Sequence, residues 1–167
     1  MAEKQKSIPF WDNLFRGRRD WKEEATAMLA NTPIFSSVPK RVLRQLVDGM
    51  YHRDYHNSEP VFHAGDPGLG MYLVLHGTVS IQLENKALAE LGPGDFFGEV
   101  ALFGDEVRTA DAISLGETEL VGFFRPDLQE WVERSPRLGV QVLLQLGHVL
   151  AERLRNTNER LIAAQGK

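Results

Sequence analysis

Between residues 51 and 124 the sequence is divided into short segments, and this division limits the possible folds more than any other feature. Apolar and polar residues alternate within the segments, as in Val79-Ser80-Ile81-Gln82-Leu83, and this period of two is typical of half-buried β-strands. The segments are separated by glycines: Gly65, Gly68, Gly70, Gly77, Gly92, Gly94, Gly98, Gly104 and Gly116. Closely spaced strands with glycine turns predict a small antiparallel barrel or roll. Residues 84–86, Glu-Asn-Lys, are expected to form one tight hairpin.

Helical patterns flank this region on both sides. Asp20 followed by Glu23 resembles a capping box, and residues 20–50 are predicted to form a helical lead to the roll. After the roll, residues 126–163 are predicted to form a short helix and then a long helix that begins at Pro136. The expected fold class is therefore α+β, with an antiparallel β-roll between N-terminal helices and a long C-terminal helix.

The long helix carries an apolar stripe, which comprises Leu143, Leu146, Leu150, Leu154 and Leu161. Part of this stripe is expected to cover the roll. The remainder has the heptad-like spacing of paired helices, so we expect a homodimer through the C-terminal helix. Residues 1–19 are interpreted as a separate appendage, in which Phe10, Trp11, Leu14 and Phe15 are followed by Arg16, Arg18 and Arg19. This segment is interpreted as a short helix packed on its own domain, or as an element that docks to a partner or an anionic surface.

Composition excludes several classes of function. The 167-residue chain has a net charge of −4, which argues against holding DNA by an overall basic field. It contains no cysteine, so disulfides, thiolate catalysis and sulfur-ligated metals are excluded. Its apolar runs are shorter than the roughly 18 residues of a membrane span, and the N-terminus does not resemble a secretory signal. These features predict a cytoplasmic protein without an integral membrane segment.

The stretch from Gly94 to Ser114, GDFFGEVALFGDEVRTADAIS, places two charged residues in apolar company. If Gly98 begins a short helical turn, the first amides of that turn favour an anion. Arg108 would offer a planar pair of donors to a phosphate, and Glu99 would accept a hydrogen bond from a sugar hydroxyl. A cyclic ribose phosphate satisfies both residues. A buried ion pair between Glu99 and Arg108 without any ligand is the alternative, and residue chemistry alone does not decide between them.

The same stretch resembles the phosphate-binding cassette of the cyclic nucleotide-binding domain family, which includes catabolite activator proteins, protein kinase regulatory subunits and cyclic-nucleotide-gated channels. The resemblance extends from about Pro33 to Leu161 and includes EPVFHAGDPGLGMYLVLHGTVSI in the first strands. It implies a cyclic purine mononucleotide, cAMP or cGMP, as ligand, with the glutamate on the ribose 2′-hydroxyl and the arginine on the cyclic phosphate. The implied ligand-binding residues are Phe97, Gly98, Glu99, Val100, Ala101, Arg108, Thr109 and Ala110. Further base contacts are expected from the long helix between His148 and Asn156, and Val107 stands where many family members carry proline.

The resemblance implies a stand-alone sensor that is not an enzyme and that signals to an unidentified effector protein through movement of its flanking helices. Because the chain ends about six residues past Leu161, no helix-turn-helix domain and no DNA binding are expected. One rival hypothesis is an interaction module of the same fold that binds no ligand. The other is a metal-dependent cupin-type enzyme. The five histidines, His52, His56, His63, His76 and His148, lack the cupin spacing of two histidines one residue apart, so no metal is expected.

Overall fold

The computed structural model describes residues 20–165 and contains four α-helices and eight strands in this range. Helices α1 (Trp21–Asn31) and α2 (Lys40–Asp48) precede the strands, and α3 (Arg125–Arg134) and α4 (Pro136–Gln165) follow them. The strands are β1 Tyr51–Tyr55, β2 Pro60–Phe62, β3 Gly70–His76, β4 Val79–Leu83, β5 Lys86–Leu91, β6 Phe96–Phe97, β7 Asp111–Ser114 and β8 Thr118–Phe124. A short 3₁₀-helix, Glu99–Leu102, lies between β6 and β7, and we name it the cassette helix. The predicted appendage, residues 1–19, lies outside the described residues.

The strands form two four-stranded sheets, ordered β1-β8-β3-β6 and β2-β7-β4-β5. Every strand pairing is antiparallel, which confirms the predicted β-roll and the α+β fold class. The predicted hairpin is also present, because Leu83 pairs with Lys86. Its two connecting residues, Glu84 and Asn85, have φ values of 50° and 62°. Positive φ at both positions matches the twist of the flanking strands.

Two apolar clusters form the core. The smaller cluster takes residues from both sheets and fills the roll: Tyr55, Val74, Val79, Phe97, Ala112 and Leu120. The larger cluster joins one face of the β1-β8-β3-β6 sheet to all four helices, through residues such as Leu29, Leu43, Leu73, Trp131 and Leu146. The long helix is therefore anchored to the roll by its first half.

Helix α4 separates the predicted leucine stripe into two parts. Leu146 is fully buried, and Leu143 and Leu150 are half-buried, so these residues serve the protein's own core. Residues 151–164 are exposed without interruption. A second apolar row faces solvent along the helix: Val140, Leu144, Leu154, Leu161 and Ile162. The surface available to a partner is thus this second row, which shares only Leu154 and Leu161 with the predicted stripe.

Within residues 20–165, none of the helices is both long enough and apolar enough to cross a membrane.

We expect the substitution Leu146→Ala to lower the free energy of unfolding by about 2–5 kcal/mol, because it opens a cavity in a packed core. Ile162→Ala, on the same helix but 70% exposed, is the control and should change stability by less than about 0.5 kcal/mol. Urea denaturation followed by circular dichroism measures both. Equal effects of the two substitutions would contradict the assignment of Leu146 to the core.

Candidate functional site

The backbone turns sharply at Gly98, between β6 and the cassette helix. Gly98 has φ +77° and is the N-cap of this helix, whose C-cap is Phe103, so the helical turn predicted to begin at Gly98 is present. A Cβ at this position would lie 2.6 Å from Arg108 Nη1, so both the conformation and the space require glycine. The amide of Ala101 donates to Gly98 O, while the first amides of a helix have no intrahelical acceptor. The amides of Glu99 and Val100 therefore have no intrahelical acceptor and are available to a ligand.

Arg108 lies beside this turn and is 7% exposed. Its Nη1 donates to Gly98 O over 3.1 Å, and its guanidinium lies 4.1 Å above the centre of the Phe62 ring. Among the described residues, Arg108 forms no ion pair with a carboxylate, and its buried Nε has no hydrogen-bond partner. Burial lowers the pKa of Arg108, although electrostatic interactions with Tyr72, Asp66 and Glu99 oppose this effect. A buried cation with an unused donor is the expected anchor of an anion.

Glu99, the first residue of the cassette helix, is 4% exposed. Its Oε1 accepts a hydrogen bond from Arg153 Nη1 over 2.6 Å. Arg153 Nη2 donates to Phe96 O over 2.8 Å, and the guanidinium lies 4.7 Å from the centre of the Phe96 ring. The internal ion pair between Glu99 and Arg108, the alternative left open by the sequence, is therefore not formed. The counter-ion of Glu99 comes from α4 instead.

Sequence reasoning missed Arg153, although a signal for it exists. The buried face of α4 runs through Val142, Leu146 and Val149, and Arg153 follows at the next i+4 position of the same face. In the described segment 151–164, the side chain that forms hydrogen bonds to the β-roll is that of Arg153. Because its side chain is bonded to Glu99 and to the Phe96 carbonyl, it holds the distal half of α4 against the cassette helix.

These elements enclose a cavity of about 540 Å³, a size that suits a small molecule. All eight predicted site residues line it, so the structure brings the whole predicted set together. The roll also contributes Phe62, Ile81, Leu88, Ala89 and Leu91. Helix α4 contributes Arg153, Asn156, Thr157 and Arg160, whereas His148 lies outside the cavity wall.

Charge in the cavity wall favours an anionic ligand. Three arginines, Arg108, Arg153 and Arg160, line the cavity together with two glutamates, Glu99 and Glu106. One of these glutamates already pairs with one of the arginines. Arg108 lies beside Gly98, the N-cap of the cassette helix, and a guanidinium and free helix amides both attract anions.

One group of metal-ligating residues occurs elsewhere in the described chain. Donor atoms of His52, Asp54 and Glu119 lie within 4.8 Å of one another. Asp54 and Glu119 have side chains 70% and 41% exposed, and none of the three residues lines the cavity. Exposed carboxylates of this kind commonly occur without a metal, so the grouping does not define a metal site.

Comparison with known proteins places the fold and sequence among proteins with a cyclic nucleotide-binding domain. A family model described as cyclic nucleotide-binding domain matches residues 52–135. The "CRP-like cAMP-activated global transcriptional regulator" of Mycobacterium tuberculosis is 32% identical over 139 residues, which cover 80% of this chain and 60% of the relative. The "Cyclic AMP receptor protein" of Thermus thermophilus is 31% identical over 138 residues, with coverage of 80% and 62%. The chain thus spans about 60% of the length of these curated relatives.

Solved structures agree with these sequence matches. The Thermus thermophilus catabolite activator protein superimposes with a TM-score of 0.70 and 31% identity, covering 80% of this chain and 63% of that chain. A cyclic nucleotide-binding domain from Methylobacillus flagellatus KT gives a TM-score of 0.75 over 86% of this chain and 84% of that chain. At 23% identity, this second likeness concerns the fold alone.

We expect Arg153→Ala to lower the free energy of unfolding by roughly 1–3 kcal/mol, the cost of leaving a buried acceptor without its partner. Arg155→Ala removes an exposed arginine from the same helix and should change stability by less than about 0.5 kcal/mol. Hydrogen exchange should also speed up in residues 151–165 of the Arg153 variant alone. Unchanged exchange in that segment would contradict the role of Arg153 as the tether of α4.

Proposed function

Because the chain belongs to the cyclic nucleotide-binding domain family, we propose that it is a receptor for a cyclic purine mononucleotide, cAMP or cGMP, which binds in the cavity between the roll and α4. The observation that carries the proposal is Arg108, a buried guanidinium with an unused donor and no carboxylate partner among the described residues. It lies beside the amide end of the cassette helix. A cyclic phosphate supplies both the charge and the acceptors that this arrangement lacks.

The phosphate and the ribose occupy neighbouring subsites in this proposal. Arg108 and the amides of Glu99 and Val100 hold the phosphate oxygens, since charge-assisted hydrogen bonds are the strongest available there. Oε1 of Glu99 is engaged by Arg153, and a carboxylate has acceptor capacity for further donors. The ribose 2′-hydroxyl therefore binds Glu99 without displacing Arg153. Retaining Arg153 avoids leaving the buried carboxylate without a counter-ion.

Because the ribose and Arg153 of α4 both bind Glu99, nucleotide binding is coupled to the position of α4 in this proposal. A nucleotide that contacts Glu99, Thr109 and the α4 residues Asn156 and Thr157 binds more tightly when α4 lies against the cavity. A ligand shifts a conformational equilibrium only by its differential affinity for the two states. The nucleotide thus stabilises the arrangement in which α4 covers the site, and an effector protein that contacts α4 detects the change.

Two features of the relatives support this function and its non-enzymatic character. Curated relatives are named as a cAMP-activated regulator and a cyclic AMP receptor protein, which favours cAMP as the ligand. Relatives in the family are regulators and regulatory subunits. We therefore propose no catalytic role for the cavity residues.

An interaction module without ligand is the second candidate, and one observation favours it. Glu99 already has a counter-ion in Arg153, so half of the predicted site is satisfied internally. Arg108 is not satisfied in this way, and this difference makes ligand binding the better-supported function. Isothermal titration of the purified chain with cAMP and cGMP separates the two candidates.

We also propose that two copies of the chain pair through α4. Its solvent-facing row contains Val140, Leu144, Leu154 and Leu161. Together with Gly147 and Ala151, these residues follow the heptad-like spacing of paired helices. Gly147 and Ala151 fall between them in the same row and let two helices approach closely. Pairing would bury apolar side chains that the chain's own core leaves in water.

We expect Arg108→Ala to weaken cyclic nucleotide binding at least about thirtyfold, which corresponds to the lower end of the 2–5 kcal/mol lost with one partner of a buried charged contact. The melting temperature should stay within a few degrees of the parent value, because Arg108 is not the counter-ion of Glu99. Arg137→Ala, an exposed arginine at the start of α4, is the control. Titration calorimetry and a melting curve distinguish the outcomes, and undiminished binding by Arg108→Ala would refute the phosphate subsite.

Thr109 lines the cavity and tests base selection. If its hydroxyl accepts a hydrogen bond from the guanine amino group, Thr109→Ala should weaken cGMP more than cAMP by about 1 kcal/mol, the net value of one hydrogen bond. Competition titrations with both nucleotides measure this difference. Equal losses for the two nucleotides would show that Thr109 does not read the base.

For the dimer, Leu144→Glu should shift the protein towards monomer in light scattering, since it puts a charge into the apolar row. Leu144 is 68% exposed in the single chain, so folding should be retained. Leu83→Glu, a change at an exposed leucine on β4, serves as the control. A parent protein that remains monomeric at high concentration, with and without nucleotide, would rule out the proposed pairing.

A further inference from the structure

Arg125, the first residue of α3, connects three segments of the chain. Its Nε donates to Ala101 O over 3.1 Å, and its Nη2 donates to Gly68 O over 3.0 Å. Its Nη1 pairs with the carboxylate of Asp105, and its backbone amide donates to Leu69 O over 3.0 Å. The side chain is 19% exposed. The start of α3 is therefore fixed to the cassette helix and to the turn before β3.

The two carbonyl contacts matter more than the ion pair. The side chain of Asp105 is 97% exposed, and ion pairs with solvent-exposed partners contribute little free energy. The carbonyls of Ala101 and Gly68 lie at different points around one planar guanidinium. Only a fork of fixed geometry reaches both, and lysine lacks such a fork.

The cassette helix is thus held by two arginines from the helical part of the protein. Arg125 holds its Ala101 carbonyl and belongs to α3, whereas Arg153 holds its Glu99 carboxylate and belongs to α4. Helices α3 and α4 pack closely, since a Cβ at Gly139 of α4 would lie 2.8 Å from Val132 of α3. The two helices are therefore in direct contact, so a displacement of α3 would disturb its packing on α4.

We propose that Arg125 is the positioning residue that transmits movement of the cassette helix to α3 and α4 when the cavity is occupied. The inference rests on the proposed function, because it requires a nucleotide in the cavity. Arg125 does not line the cavity. Its loss should therefore separate binding from the helix response.

The absence of cysteine from the chain allows site-specific spin labelling. Glu117→Cys, in the exposed turn between β7 and β8, and Glu159→Cys, on the exposed part of α4, receive nitroxide labels. Pulsed dipolar electron paramagnetic resonance then measures the distance between them with and without saturating cAMP. With Arg125 intact, we expect cAMP to shift the distance distribution. With Arg125→Lys, cAMP should still bind within about fivefold of the parent affinity, while most of the shift is lost.

Asp105→Ala is the matched control, since it removes the ion pair and leaves both carbonyl contacts. It should retain the full distance shift. Arg125→Gln is a second variant that also breaks the fork, and it should behave as Arg125→Lys does. A full shift in either Arg125 variant, or a shift lost equally in Asp105→Ala, would overturn the role of the fork. A labelled parent that binds cAMP without any shift overturns the inference and the proposed reporting through α4 but not nucleotide binding, whereas a parent that binds neither cyclic nucleotide overturns the proposed function as well.

Discussion

Glu99 and Arg108 are buried side by side without pairing with each other, and this separation of two buried charges determines the arrangement around them. Burying a charge is costly unless a partner compensates for it. Glu99 is compensated by Arg153, which fixes the distal half of α4. Arg108 has aromatic rings and one carbonyl as direct neighbours, and in our proposal an anion from outside the chain compensates its charge. The cavity and the position of α4 both follow from this difference.

The four residues of the cassette helix connect the ligand site to the helical part of the molecule. In our proposal their first amides and Gly98 form the anion cradle, while Glu99 contacts Arg153 of α4 and the Ala101 carbonyl contacts Arg125 of α3. A short 3₁₀-helix has few internal hydrogen bonds, so its position depends on these external contacts. A ligand that displaces it alters contacts on both sides at once. This arrangement accounts for signalling in our proposal without any chemical step.

The sequence predicted the roll, the hairpin at Glu84 and Asn85, and the turn at Gly98, because each depends on local periodicity or on glycine. It also predicted the eight cassette residues among those that line the cavity, since the cassette is continuous in the chain. It did not predict the partner of Glu99, because Arg153 lies 54 positions away and the contact depends on how α4 rotates on the roll. The same rotation decides that Leu146 is buried and Leu144 exposed. The approach of His52 to Glu119 across β1 and β8 likewise depends on strand pairing.

The most direct test of the account is a crystal structure of the full chain grown with cAMP. The account predicts phosphate oxygens within hydrogen-bonding distance of the Arg108 guanidinium and of the Glu99 and Val100 amides. It also predicts the ribose 2′-hydroxyl on Glu99 and an intact contact between Glu99 and Arg153. A nucleotide bound outside this cavity, or a cavity without nucleotide in crystals grown at saturating cAMP, would contradict the central claim.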